Sequence, residues 1–339
     1  MPHRASLATL ALLLSTAACG LDLPPGDVKS PDYWGDFFLD KYADELALEE
    51  VELEVEPAPV PLEKPRVVLL ITGVTIPAEW FEPMEARLER DGFIPVVYEP
   101  PDLLSGSLFE NSELLGVVID DVLEEYGEDK LDILAECTGG VIARHYVQSL
   151  GGESKVSRLV TFISPQAGLP KAPFAAKFAG WPALYDLSPG SEFLDAVADA
   201  PLPESVPITS IYSCTDEYIQ PYSTSIIPGA TNIGLCDGFV GHFEFFWNPD
   251  IYLIMHDALT QPLPEEKWDA DDDAETPAEP GEDGGKRDDP HPRDESLSDE
   301  DDDATAAGCS VGGRPSATPA ALFVLLACAA ATRRRARSA

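Results

Sequence analysis

The stretch LDILAECTGGVIARHY, residues 131–146, predicts a buried strand, a sharp turn and a helix. The aliphatic run before Glu136 suits a strand that is buried on both faces, and apolar residues follow at helical spacing after the turn. Cys137 stands at the turn, where elbow motifs of the type G-x-S-x-G place a nucleophile, and Ala135 takes the place of the first glycine. A helix N-terminus favours a thiolate, so Cys137 is a candidate nucleophile with a lowered pKa.

The same alternation of strand and helix continues on both sides of this elbow. Predicted strands are RVVLLIT (66–72), IPVVYE (94–99), KLDILAE (130–136), SRLVTFIS (157–164), VPITSIYS (206–213) and TNIGLC (231–236). Predicted helices lie at 77–92, 107–127, 138–152 and 250–260. This alternation predicts one α/β domain over residues 65–262, with a mostly parallel sheet flanked by helices. Candidate chemistry belongs at the carboxyl ends of such strands.

The charge of the chain excludes some partners. Its 339 residues carry a formal net charge of −39, so binding to nucleic acid through the folded body is not expected. The acidity is concentrated in residues 20–64 and 263–308, which are also rich in proline. Such segments bury too little apolar surface to offset their ordering entropy, so both are predicted to be solvated linkers, the second disordered.

The two ends of the sequence predict export. Residues 1–19 have a basic start, an apolar run and small residues before Cys19, as secretory signal peptides do. The ending TAAC resembles a lipoprotein signal, which implies lipidation of Cys19; ordinary cleavage near Ala18 is the alternative.

Residues 309–339 join a Gly-Cys motif, a short apolar run and a terminal arginine cluster. This tail resembles the MYXO-CTERM class of bacterial sorting tails, which implies processing near Cys309 and display at the cell surface. A plain tail anchor is the alternative. Either end predicts a protein attached to the membrane.

Three cysteines remain in the core once those of the two ends are set aside: Cys137, Cys214 and Cys236. Cys214 and Cys236 follow the fifth and sixth predicted strands, whose ends are neighbours if the sheet keeps sequential order. An oxidising compartment then favours a disulfide between them, and two buried free thiols are the alternative.

Several motifs follow one another in the core: ITGV (71–74), AECTGG (135–140), SIYSCTDEYIQP (210–221) and GLCDGFVGH (234–242). The series resembles small secreted bacterial triacylglycerol lipases (lipase class 2) of the α/β-hydrolase superfamily, which have little or no lid. The resemblance implies that Cys137 replaces the nucleophilic serine, that Asp216 is the acid and that His242 is the base.

The same resemblance implies an oxyanion hole made by two backbone N–H groups, those of Val74 and Thr138. Competing assignments remain for the other two roles. The alternative acids are Glu217 and Asp237, and the alternative histidines are His145 and His256.

The predicted reaction is hydrolysis of a carboxylic ester, such as a lipid, through an acyl-thioester. Two alternatives remain: transfer of the acyl group to another acceptor, and a lipase-like surface protein that binds without turnover. Glu136 counts against the thiol, because a neighbouring carboxylate raises its pKa. No cofactor and no metal are expected, because no histidine pair has ligand spacing and the acidic runs lack an EF-hand pattern. The domain is expected to be a monomer.

Overall fold

A computed structural model describes residues 23–48 and 50–264. The predicted signal peptide with Cys19, the acidic segment from residue 265 onward, and the tail with Cys309 lie outside these residues. No helix among the described residues is long and apolar enough to cross a membrane.

A six-stranded sheet forms the centre of the fold. Its strands are β1 (Arg66–Ile71), β2 (Phe93–Tyr98), β3 (Leu131–Glu136), β4 (Val156–Phe162), β5 (Ile208–Ser213) and β6 (Thr231–Leu235). They pair in the order β2-β1-β3-β4-β5-β6, and every pair is parallel. The predicted parallel sheet is therefore confirmed. All strand ends that carry candidate residues lie at one edge, the carboxyl edge.

Helices lie along the chain before, between and after the strands. They are α1 (Pro31–Lys41), α2 (Ala43–Leu46), α3 (Glu50–Val55), α4 (Glu82–Arg90), α5 (Leu108–Tyr126), α6 (Cys137–Ser149), α7 (Ala172–Ala179), α8 (Pro182–Asp186), α9 (Glu192–Asp199), α10 (Glu244–Trp247) and α11 (Pro249–Thr260). The long helices were predicted to within a few residues, because glycines and prolines mark their ends.

Two apolar clusters cover the two faces of the sheet, and β1 shows how the sequence supplies both. Val68 and Leu70 belong to one cluster, while Val67, Leu69 and Ile71 belong to the other. Side chains alternate between the faces of a strand, so a continuous aliphatic run buries both. This double burial holds the carboxyl edge in place.

The predicted linker at residues 20–64 is wrong for its middle part. Helices α1 and α2 pack on the domain through side chains that are nearly inaccessible to solvent, including Trp34 and Phe38. The aromatic residues of YWGDFF (33–38) bury enough apolar surface to order the segment, although acidic residues surround them.

Candidate active site

The elbow is a strained turn between β3 and α6. Cys137 has a φ of 45°, a left-handed conformation that is unfavourable for a residue with a Cβ. The two glycines that follow make room for the turn: a Cβ on Gly139 would lie 2.6 Å from the carbonyl oxygen of Thr72, and one on Gly140 would lie 2.6 Å from Ser164 Oγ. The backbone therefore presents the thiol of Cys137 at the carboxyl edge.

Asp216 and His242 meet at the same edge. Asp216 follows β5, and its Oδ2 lies 2.7 Å from Nδ1 of His242, in the loop after β6. The other carboxylate oxygen accepts hydrogen bonds from the backbone N–H groups of Tyr218 and Ile219, at 2.7 and 2.8 Å. Because both oxygens are held, the imidazole of His242 has a fixed orientation with Nε2 directed away from Asp216.

The loops that carry this pair are joined covalently. Cys214 and Cys236 form the predicted disulfide, with their Cα atoms 4.9 Å apart. Cys214 lies two residues before Asp216, and Cys236 lies six residues before His242. Cys137 is a free, buried cysteine.

Glu136 enters the site from the last position of β3. Its side chain is buried, and Oε2 accepts a 2.6 Å hydrogen bond from the backbone N–H of Gly73. The second oxygen, Oε1, has no hydrogen-bond partner among the described residues and lies 3.5 Å from Nε2 of His242. One ligand atom each from Glu136, Cys137 and His242 all lie within 4.8 Å of one another.

Burial and charge set the protonation of these groups. Burial raises the pKa of the Cys137 thiol, and the Glu136 carboxylate raises it further. This direction is opposite to the one expected from the helix N-terminus, because the burial of the thiol and the adjacent carboxylate outweigh the dipole. Burial also raises the pKa of Glu136 itself, although the nearby His242 imidazole and the hydrogen bond from Gly73 oppose the shift.

His242 responds in the other direction. Burial lowers its pKa, but the Asp216 carboxylate and its hydrogen bond, helped by Cys137 and Glu136, outweigh that effect. The pKa of His242 is held well above that of an ordinary histidine. At neutral pH the geometry therefore favours a protonated thiol beside a charged imidazole.

Two backbone donors were predicted for an oxyanion. Thr138 is the second residue of α6, so its N–H has no acceptor within the helix. Val74 lines the same pocket as Cys137, and its role as an oxyanion donor stays a prediction. The neighbouring Gly73 was not predicted as a donor, yet its N–H is the one held by Glu136. A Cβ on Gly73 would collide with the Glu136 carboxylate and with Cβ of Cys137. The chain after β1 therefore contacts the elbow directly at Gly73.

An apolar pocket opens above Cys137 and His242. Its wall contains Trp34 and Phe38 of α1, together with Leu169, Trp181, Leu184 and Phe243. Trp181 lines the pocket, while Trp80 and Phe81 are fully buried in the core. Sequence reasoning missed Trp34 and Phe38, whose helical spacing of four residues was the available signal.

The competing candidates lie elsewhere or act through the backbone. His145 packs between Phe109 and Phe193, and the ring of His256 contacts those of Phe93 and Tyr252.

Glu217 accepts the backbone N–H of His242 at 3.1 Å, and Asp237 is exposed. Asp216 is therefore the carboxylate hydrogen-bonded to the imidazole of His242.

The chain is similar in sequence to a known lipase. The chain is 29% identical to lipase B of Pseudozyma antarctica over 171 residues, which are 48% of this chain and 49% of the lipase. It thus spans about half the length of the curated relative that it matches. No family model matches the sequence.

Solved structures show the same architecture. A crystal structure of Aspergillus fumigatus lipase B superposes with a TM-score of 0.52 at 19% identity, over 66% of this chain and 60% of that one. Mature lipase BlEst2 of Bacillus licheniformis gives a TM-score of 0.49 at 15% identity, over 61% and 96% of the two chains. The superposition on the Aspergillus fumigatus structure, together with the all-parallel six-stranded sheet, shows that this chain has the α/β-hydrolase fold.

Proposed function

We propose that this protein hydrolyses carboxylic esters with apolar acyl chains through a thioester on Cys137. The observation that carries the proposal is the buried Asp216–His242 pair beside Cys137, at the base of an apolar pocket. The similarity to lipases supports the substrate class.

In the first half-reaction the thiol sulfur attacks the ester carbonyl carbon while Nε2 of His242 accepts the thiol proton. The carbonyl oxygen becomes an oxyanion, for which the N–H groups of Thr138 and Val74 are the proposed donors. The C–O bond to the alcohol then breaks, and the leaving oxygen takes the proton from His242. A thioester remains on Cys137.

In the second half-reaction His242 accepts a proton from water as the water oxygen attacks the thioester carbon. The C–S bond breaks, the acid leaves, and the proton returns to the sulfur. Asp216 stabilises the imidazolium in both halves and keeps the proton on Nδ1.

A second candidate is binding of an acyl ester without turnover, which Glu136 favours. Its carboxylate raises the pKa of the thiol, which slows attack. We also propose that the protein is an exported monomer attached to the membrane through an end of the chain; the Cys214–Cys236 disulfide supports export.

The test uses the full chain with p-nitrophenyl esters of increasing acyl length. Cys137→Ala should lower kcat/KM by at least about 10³-fold, because the nucleophile is lost. His256→Gln, at a buried histidine outside the site, is the matched control and should retain activity. Acid-quenched mass spectrometry should find the acyl group on the peptide that contains Cys137.

Equal rates for wild type and Cys137→Ala would contradict the proposal. Tight binding of a long-chain ester without product formation would support the second candidate. Recovery of the acyl group on an added alcohol instead of water would redefine the protein as an acyltransferase.

A further inference from the structure

A second chemistry is available to the same edge of the sheet. We propose that Glu136, Cys137 and His242 form a binding site for a divalent transition-metal ion of the zinc class. The site needs no ester substrate, so it does not rest on the proposed hydrolysis.

The donor set suits such an ion. A thiolate, an imidazole nitrogen and a carboxylate oxygen are the three ligand types that zinc takes in proteins. Bond lengths of about 2.0–2.3 Å place tetrahedral ligand atoms roughly 3.3–3.8 Å apart. The 3.5 Å between Nε2 of His242 and Oε1 of Glu136 falls in this range, and no pair in the cluster exceeds 4.8 Å.

Independent observations point to a ligand at this position. Oε1 of Glu136 is buried with 0% of the residue exposed, and it has no hydrogen-bond partner among the described residues. Its nearest partner is the His242 imidazole, whose Nε2 lies 3.5 Å away, so a bound divalent cation would compensate this buried carboxylate more fully. Oε2 is fixed by Gly73, so the free oxygen is held towards the imidazole.

The surrounding residues prepare His242 as a ligand. Its Nδ1 donates to Asp216 at 2.7 Å, which directs Nε2 towards Cys137 and Glu136, where a metal can take the place of the Nε2 proton. Carboxylate–histidine–metal chains of this kind orient the ring and increase its basicity.

Three protein ligands leave a fourth position open to the pocket, as in catalytic rather than structural zinc sites. On binding, the metal replaces the thiol proton of Cys137 and the Nε2 proton of His242, together with any proton held by Glu136, and these protons pass to solvent.

The sequence hid this site because its third ligand lies about one hundred residues beyond the other two. A consequence for the proposed hydrolysis is that a bound ion occupies both the sulfur and Nε2. The metal would then act as an inhibitor of thioester formation.

Cobalt(II) spectroscopy of the metal-stripped full chain tests the site without any activity measurement. Wild-type protein should bind one equivalent of Co²⁺ and develop a thiolate-to-cobalt charge-transfer band with the visible bands of four-coordinate cobalt. Zn²⁺ should then displace the Co²⁺ and remove both.

Variants assign the ligands. Cys137→Ser should abolish the charge-transfer band, and Glu136→Gln should weaken binding by at least about tenfold. His145→Gln, at a buried histidine outside the cluster, should bind as the wild type does. Two results would overturn the proposal: a wild-type spectrum without a thiolate band, or a band that persists in Cys137→Ser and so belongs to another cysteine.

Discussion

Asp132 and Glu136 lie four residues apart on β3, and both are buried, but their counter-charges differ in kind. At the amino edge of the sheet, Asp132 lies 3.3 Å from Arg158 and 3.4 Å from Arg66. At the carboxyl edge, the groups nearest to Glu136 are a backbone N–H and His242. Arginine keeps its charge at every physiological pH, whereas histidine does not.

The contrast separates two uses of a buried carboxylate. One edge of the sheet holds a permanent ion network that contributes to stability. The other holds a carboxylate whose partner can lose or gain a proton, which is costly for stability and useful for chemistry.

The largest effect on stability is expected at the amino edge. Asp132→Asn should lower the free energy of unfolding by about 3 kcal/mol, because the buried ion pair between Asp132 and Arg158 is lost. Denaturant unfolding checks the value, and ester hydrolysis per folded molecule should be unchanged. Asp237→Asn, at an exposed position, should stay within about 0.5 kcal/mol of wild type. A similar loss in both variants would remove the distinction between the edges.

Loss of the disulfide at the carboxyl edge is expected to lower the free energy of unfolding by a similar but smaller amount. Replacing Cys214 and Cys236 together by serine should cost about 3 kcal/mol at most, because the bond closes a loop with a sequence separation of 22 residues. Thermal unfolding of the double variant measures this cost. If the active edge depends on the tether, kcat should also fall while Asp132→Asn leaves it intact. An unchanged kcat would mean that packing alone holds the loops.

The smallest effect, and the most specific, is expected for Glu136→Gln. Loss of this carboxylate lowers the pKa of Cys137 and of His242, because it raises both in the wild type. Iodoacetamide should therefore label Cys137 about tenfold faster at mildly alkaline pH for each unit by which the thiol pKa falls.

The pH–rate profile should change in the same variant. A general base must be neutral, so wild-type activity should fall on acidification at a pH well above the ordinary histidine range. The acid limb should move to lower pH in Glu136→Gln. The exposed Glu113→Gln is the control and should leave labelling and profile unchanged. A shift to higher pH would show that Glu136 does not act on His242 through its charge.

The sequence was sufficient for the parts of this molecule that depend on local pattern. Aliphatic runs placed β1 and β3 to within one residue, and the order of motifs led to Cys137, Asp216 and His242, which the fold brings together. The spacing of apolar residues and the residue types at turns are local properties, so they can be recognised from the sequence alone.

What the sequence could not supply depends on contacts between distant segments. The hydrogen bond from Gly73 to Glu136 joins residues 63 positions apart. Burial, together with the Glu136 carboxylate, reverses the shift of the thiol pKa that the helix N-terminus predicts. Likewise, the acidic surroundings of α1 concealed aromatic residues whose partners, Tyr218 and Phe243, lie about two hundred residues away. The amino-acid composition of a segment does not show which distant residues it contacts in the fold.

The position of α1 has a consequence for how specificity can change. Trp34 and Phe38 belong to a helix that precedes the whole sheet, yet they form part of the wall above Cys137. Under the proposed function, one segment that shapes the acyl pocket thus lies outside every strand that carries the reacting groups. Grafting residues 31–46 from a homologue is therefore a direct route to a new acyl preference on an unchanged catalytic edge, for evolution as for protein engineering.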